Sequence, residues 1–359
     1  MILIFVMVPD MTNIQNRATR RASALLLAVV LVACGGAASD EAANDTVDDA
    51  TATSSAPVAP VLSVAVSFYP VEEIVARIGG ERVAILRLVE PGDNAHEAEL
   101  TAKTVERLGE SSAVFYLSGG FQPAVEKAVD ALPSSVRAVD LFESDGIDHI
   151  SAEKTHDDDD DDHDHDHDDH DHDDDDHDHD HAHGSDDPHI WLDPANMAAM
   201  ARVAAEALTN LDPGGASVYS ANAGTYIAEL DALGGEIDAA LATCATRTLV
   251  TAHDAFGYLA RRASLKTVSV AGLNPEDEPS ARQLERIATA ASAASTRTVF
   301  FEVSLPEDLA RTVADSIGAG VDTLDALEGV TRQTLADGGT YASIMRDNLS
   351  RIADALGCS

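Results

Sequence analysis

The residues of this chain best suited to chemistry are its histidines, and they fall into two groups. Ten of the 14 lie between His156 and His183, in a run that alternates almost purely with aspartate. Imidazole nitrogen and carboxylate oxygen are donors that borderline divalent metals such as zinc prefer. In an extended chain residues i and i+2 point the same way, so each His-Asp-His step can offer two imidazoles to one ion. The run holds nothing apolar larger than Ala182 and could not repay the entropy of ordering it, which predicts a solvated, mobile loop. A charged low-complexity linker is the plain alternative, and the repetition of histidine at every second position argues against it.

The other four are His96, His149, His189 and His253. Three of these fall at the end of a strand or in the loop after it, where open α/β sheets place their ligand sites. A single histidine in such a place more often completes a core or a cap. Three together, in a chain that also carries a metal-attracting tract, point to a metal site built from imidazoles.

Short β-branched runs alternate with helical stretches and supply the frame for these residues. Strands are expected at residues 61–68, 82–89, 113–117 and 136–141, with helices at 71–78, 101–109 and 122–131 between them. Two helical stretches follow, 195–211 and 216–241, the second interrupted by Gly234-Gly235, a pair able to kink it. Alternation then resumes, with a strand from 246 turning into a helix at His253, strands at 266–270, 298–303 and 321–324, and helices at 279–293, 306–317 and 341–356. The strands lack a polar face of period two, which argues for parallel sheets covered on both sides. The expected fold is α/β: two Rossmann-like lobes, residues 61–211 and 244–359, joined by a long helix at 212–243, with the site in the cleft between them.

Residues 1–34 read as an export signal, with Arg17, Arg20 and Arg21 ahead of the apolar run 24–33. A start at Met11 gives a more conventional signal than Met1. The signal ends in LVAC, a lipobox-like string in which Cys34 would carry lipid and anchor the chain to a membrane, and residues 35–60 read as a flexible tether. Cys244 and Cys358 remain as an even pair; a disulfide between them would contribute on the order of 4 kcal/mol, and two free thiols are the alternative. The net charge is −40, and removing the 17 aspartates of the tract leaves −23. Such a surface excludes a nucleic-acid partner, which needs clustered lysine and arginine.

The strings PGDNAHEAEL, DPHIWLDP, VTAHDAFGYL, FFEVSLP, LDALEGVT and GTYASIMRDNL resemble the bacterial solute-binding lipoproteins of zinc and manganese ABC transporters, the ZnuA-like group. The resemblance spans residues 61–356, and the acid–histidine insert ahead of DPH is typical of zinc-transporting members. It implies His96, His189 and His253 as metal ligands, with a fourth position filled by a carboxylate or by water. Glu328 in ALEGVT is favoured and Asp325 is the alternative. Some relatives place a glutamate directly before the first histidine, where this chain has Ala95. Asp187, Asp193, Asp254 and Glu302 are candidates for orienting the imidazoles, with helix capping the other role open to Asp193 and Asp254. His149 is read as a loop residue, and Trp191 and Tyr258 as packing.

The resemblance further implies an extracytoplasmic Zn(II)-capturing monomer that delivers its ion to a membrane permease and is not an enzyme. Tethered beside the cleft, the tract would raise local zinc concentration as an accessory, or alternatively sense zinc excess or acidity. The resemblance also implies limited closure on metal binding, with Gly234-Gly235 the weak point. A surface zinc buffer or adhesin, a manganese-binding homologue and a zinc hydrolase are the alternatives; neither HExxH nor GxSxG occurs to support the last.

Overall fold

The computed structural model describes residues 60–151, 186–275, 279–303 and 307–359. The signal, Cys34, the tether apart from Pro60, and the acid–histidine tract lie outside these residues.

Among the described residues eight short strands form two sheets, accompanied by ten α-helices. The first half contains β1 (Leu62–Val66), α1 (Tyr69–Gly79), β2 (Val83–Arg87), α2 (Ala102–Gly109), β3 (Ala113–Tyr116), α3 (Pro123–Asp130) and β4 (Arg137–Asp140). Then come α4 (Pro194–Leu211) and α5 (Ala216–Ala240). The second half contains β5 (Thr248–Thr251), α6 (Gly257–Arg262), β6 (Lys266–Ser269), α7 (Ala281–Ala293), β7 (Thr298–Glu302), α8 (Asp308–Ile317), β8 (Gly320–Leu324), α9 (Arg332–Ala336) and α10 (Tyr341–Leu356). Each sheet is wholly parallel, in the orders β2-β1-β3-β4 and β6-β5-β7-β8. Successive crossovers therefore leave the first strand of each sheet in opposite directions, which opens a crevice at the strands' carboxyl ends.

The lobes share one apolar core. Phe68, Trp191, Leu230, Phe256, Phe300 and Tyr341 all belong to a single buried cluster, with smaller clusters on the outer face of each sheet. α5 is the beam along this core. Its buried positions Tyr219, Ala223, Tyr226, Leu230, Leu233 and Ile237 recur at alternating steps of three and four, one stripe of a helix. It packs against α4, against α1 of the first lobe and against α10 of the second. At one end Arg82 Nε and Nη2 donate to Asp212 Oδ2 at 2.9 and 2.6 Å, and Tyr219 OH donates to the same oxygen at 2.7 Å.

Three details depart from expectation. Gly234-Gly235 does not break α5, which is helical throughout Ala216–Ala240. Gly234 is needed because a Cβ there would lie 2.6 Å from Arg262 Nη2, whose guanidinium bridges Asp193 and Asp238. The helix after His253 starts only at Gly257, because Asp254 N donates to Gly272 O and pins the intervening turn to a neighbouring loop. α9 was not foreseen; it spans one and a half turns and buries no residue. As the even cysteine pair suggested, Cys244 and Cys358 form a disulfide across 114 residues, tying the chain just after α5 to the end of α10 and removing the free-thiol alternative. No helix among the described residues is long and apolar enough to cross a membrane.

Candidate metal centre

His189 stands in the Asp187-Pro188-His189 turn. Asp187 Oδ1 accepts from both the backbone N and Nδ1 of His189, at 2.9 and 2.7 Å, so the ring's tautomer and direction are fixed and Nε2 is turned inward. The turn is itself tied down, because Tyr258 OH donates to Asp187 O at 2.9 Å and Tyr341 OH to Trp191 O at 2.7 Å. Trp191 and Tyr258 thus pack, as expected, and also brace the site.

His253 lies two residues past β5, and its Nδ1 pairs with Glu302 at the end of β7. Strand order explains the pairing, since β5 and β7 are neighbours in the sheet. Thr251 Oγ1 donates to His253 O at 2.8 Å and fixes the backbone. His96 comes from the long loop between β2 and α2. Its N donates to Asn94 Oδ1 at 3.0 Å, Gln122 Nε2 donates to the preceding Ala95 O at 3.1 Å, and its ring meets Phe121 edge-on at 4.6 Å. Glu328 follows β8 through a turn in which Asp325 Oδ1 accepts from Leu327 N at 2.8 Å.

These four side chains converge, with one donor atom from each lying within 4.8 Å of every other. His189 Nε2 is 3.0 Å from Glu328 Oε1 and 3.4 Å from His253 Nε2; His253 Nε2 is 3.6 Å from Glu328 Oε1, and His96 Nε2 is 3.3 Å from Glu328 Oε2. A tetrahedron with zinc–ligand bonds of about 2.0–2.1 Å has edges of roughly 3.3–3.4 Å, so the spacing suits an ion at the centre. His96 Nε2 and Glu328 Oε1 are buried without a well-formed hydrogen bond, an arrangement that costs free energy unless something else engages them. Three imidazoles and one carboxylate suit zinc better than calcium or magnesium, which prefer oxygen.

The electrostatics are tightly matched. Burial alone would depress the pKa of His189, but its hydrogen bond to Asp187 and the nearby Glu328 carboxylate more than offset this and push it up to about 9. Burial acts the same way on His253, and Glu302 followed by Glu328 reverses it, to about 10. Glu302 itself is raised by burial. Burial would also raise Glu328, yet the imidazoles of His189, His253 and His96 beside it hold it well below the usual carboxylate range.

Asp325 is not among the converging side chains; its carboxylate is spent on the turn before Glu328. Asp187 and Glu302 face imidazoles, whereas Asp193 and Asp254 do not. Asp193 caps α4 by accepting from Ala195 N at 2.9 Å and pairs with Arg262, and Asp254 accepts from Ser269 Oγ at 2.8 Å without capping α6. His149 packs on Phe142 at 4.4 Å, outside the cluster. Sequence reasoning missed Asn94, Gln122 and Thr251, which fix the backbone at His96, Ala95 and His253. Asn94 carried a signal, a side-chain acceptor two residues ahead of His96, the spacing of an Asx turn.

The family model described as zinc-uptake complex component A, periplasmic, matches residues 64–355. The high-affinity zinc uptake system protein ZnuA of Bacillus subtilis is 30% identical over 296 residues, covering 82% of this chain and 88% of that protein. The zinc-binding lipoprotein AdcA of Streptococcus pneumoniae serotype 4 is 28% identical over 301 residues and 81% of this chain, which spans 55% of that protein's length. The chain thus covers about half of the streptococcal relatives it matches. Among solved structures, the Zn(II)-bound ZnuA-like domain of Streptococcus pneumoniae AdcA is 25% identical with a TM-score of 0.65, over 82% of this chain and 98% of that one.

Proposed function

Because the chain belongs to the periplasmic zinc-uptake component A family, we propose that it captures Zn(II) outside the cytoplasm and delivers it to the permease of an ABC importer. In this reading His96, His189, His253 and Glu328 are the ligands, Cys34 carries the lipid that keeps the protein at the membrane, and the protein acts as a monomer. The observation that carries it is the convergence of three Nε2 atoms and the Glu328 carboxylate at one buried point.

Four protein donors close a tetrahedral site, whereas catalytic zinc keeps one position open for water or substrate. The arrangement therefore supports binding and transport over hydrolysis, in keeping with a family of solute-binding proteins. The core common to both lobes and the unbroken α5 favour local rearrangement of the ligand loops over a wide hinge motion. The acid–histidine tract supplies additional weak sites that feed the tight one.

Titration with zinc against a chelator tests this. The wild type should show one tight site plus weaker ones, and deletion of residues 157–183 should abolish only the weak ones. His189→Ala and His253→Ala should each abolish the tight site. Tight binding that vanished with the tract, or survived both histidine replacements, would place the site elsewhere.

A further inference from the structure

The fourth donor is delivered by a turn that needs support. Between β8 and Glu328 the chain runs through Asp325, Ala326 and Leu327, and Leu327 has a φ of 64°, a left-handed conformation that leucine rarely adopts. One brace is local, the bond from Leu327 N to Asp325 Oδ1. The other comes from α10. Asn348 Oδ1 accepts from Asp325 N at 2.9 Å, and Asn348 Nδ2 donates to Asp325 O at 2.7 Å. Asn348 is 2% exposed and stands on the helix face that otherwise buries Tyr341, Ile344, Met345, Leu349 and Ile352. A carboxamide there would cost free energy unless both its polar ends were satisfied, and both are spent on one residue, three positions before Glu328. The same turn is tied to the His189 segment, since Trp191 Nε1 donates to Ala326 O at 2.7 Å.

The geometry points to Asn348 as a positioning residue of the metal site: its carboxamide clamps the Asp325 backbone so that the Glu328 carboxylate reaches the three imidazoles. Without the clamp the turn relaxes, and the ion is held by three histidines and solvent. This rests on the ligand set proposed above.

The test compares zinc affinity, by chelator competition, for wild type, Asn348→Ala, Glu328→Ala and the double variant, together with the visible spectrum of each loaded with Co(II) between about pH 6 and 9. Asn348→Ala should weaken zinc about 10- to 100-fold, as loss of a ligand's supporting partner does. The double variant should bind no more weakly than Glu328→Ala alone, because Asn348 acts through Glu328. A metal-bound water ionises in this pH range. Cobalt spectra of both single variants should therefore change with pH while that of the wild type stays constant. Asn348→Leu keeps much of the side chain's volume on this apolar face and removes both bonds; it should give a loss of the same kind and serves if the alanine variant does not fold. Unchanged zinc affinity in Asn348→Ala, or the same fold-loss with and without Glu328, would overturn the positioning role. A wild type without a tight site, or Glu328→Ala binding as tightly as wild type, would overturn the ligand set itself.

Discussion

Zinc binding should expel protons, and the number follows from the site's electrostatics. In the metal-free protein the pKa values of His189 and His253 are pushed up to about 9 and about 10, so at neutral pH both rings carry two protons. The Nδ1 protons stay with Asp187 and Glu302, while the Nε2 protons stand where the ion of the proposed site would bind. Glu328, held well below the usual carboxylate range, contributes none. At pH 7.5 each zinc should therefore displace close to two protons from these rings, whereas two imidazoles of ordinary pKa near 6.5 would release only about 0.2. At about 1.4 kcal/mol per pH unit and proton, the two together hold back roughly 5 kcal/mol of intrinsic affinity at pH 7.5. Apparent affinity should rise about a hundredfold per pH unit between pH 6.5 and 7.5. Calorimetric titration in buffers of different ionisation enthalpy counts the protons, and competition with a chelator of known protonation constants gives the slope. Release of less than one proton, or a slope below tenfold per unit, would refute the claim that the carboxylates keep these rings charged.

Stability of the metal-free protein should also depend on pH. Groups whose native pKa is raised stabilise fully below their unfolded value of 6.5, and that stabilisation is lost as pH rises through about 9 to 10, so the melting temperature under chelation should fall across that interval and fall less with zinc bound. Gly235→Ala, where a Cβ meets nothing within 4 Å, should stabilise α5 by about 0.5–1 kcal/mol. Gly234→Ala should forfeit that gain by displacing the Arg262 guanidinium, and equal melting temperatures for the two variants would contradict the packing described. Replacing Cys244 and Cys358 by serine should lower unfolding free energy by about 4–5 kcal/mol in denaturant titrations, as expected for a loop of this length; an unchanged midpoint would show that the crosslink does not stabilise the fold.

Three of the four converging donors were legible because histidine is scarce outside the tract and His96, His189 and His253 each sit in a distinctive string, whereas His149 does not; Glu328 was favoured over Asp325 only through the string ALEGVT. Asp187 was legible through its nearness, two residues from His189. The Glu302–His253 pairing spans 49 residues and becomes visible only once β5 and β7 are known to be neighbours. Asp193 and Asp254 show the converse: an aspartate near a histidine serves a cap, an arginine or a serine equally well, and only geometry decides. Alternation of strands and helices revealed two parallel sheets, but an apolar face does not say what it will cover, so the core common to both lobes was hidden. The glycine pair in α5 misled for the same reason, because the need for Gly234 arises from Arg262, far along the chain. Asn348 was legible in retrospect as the one amide on a helical stripe of apolar side chains.

Ser151 and Asp186 face one another in an isolated antiparallel bridge, and Asp187 N donates to Ile150 O at 2.7 Å. The chain between them is therefore closed at one doorway, and the part of its cost that depends on length is loop-closure entropy, which grows as the logarithm of length, about 0.6 kcal/mol for each doubling. A doorway of this kind makes length cheap to change, for evolution and for an engineer grafting a different sequence beside the cluster alike.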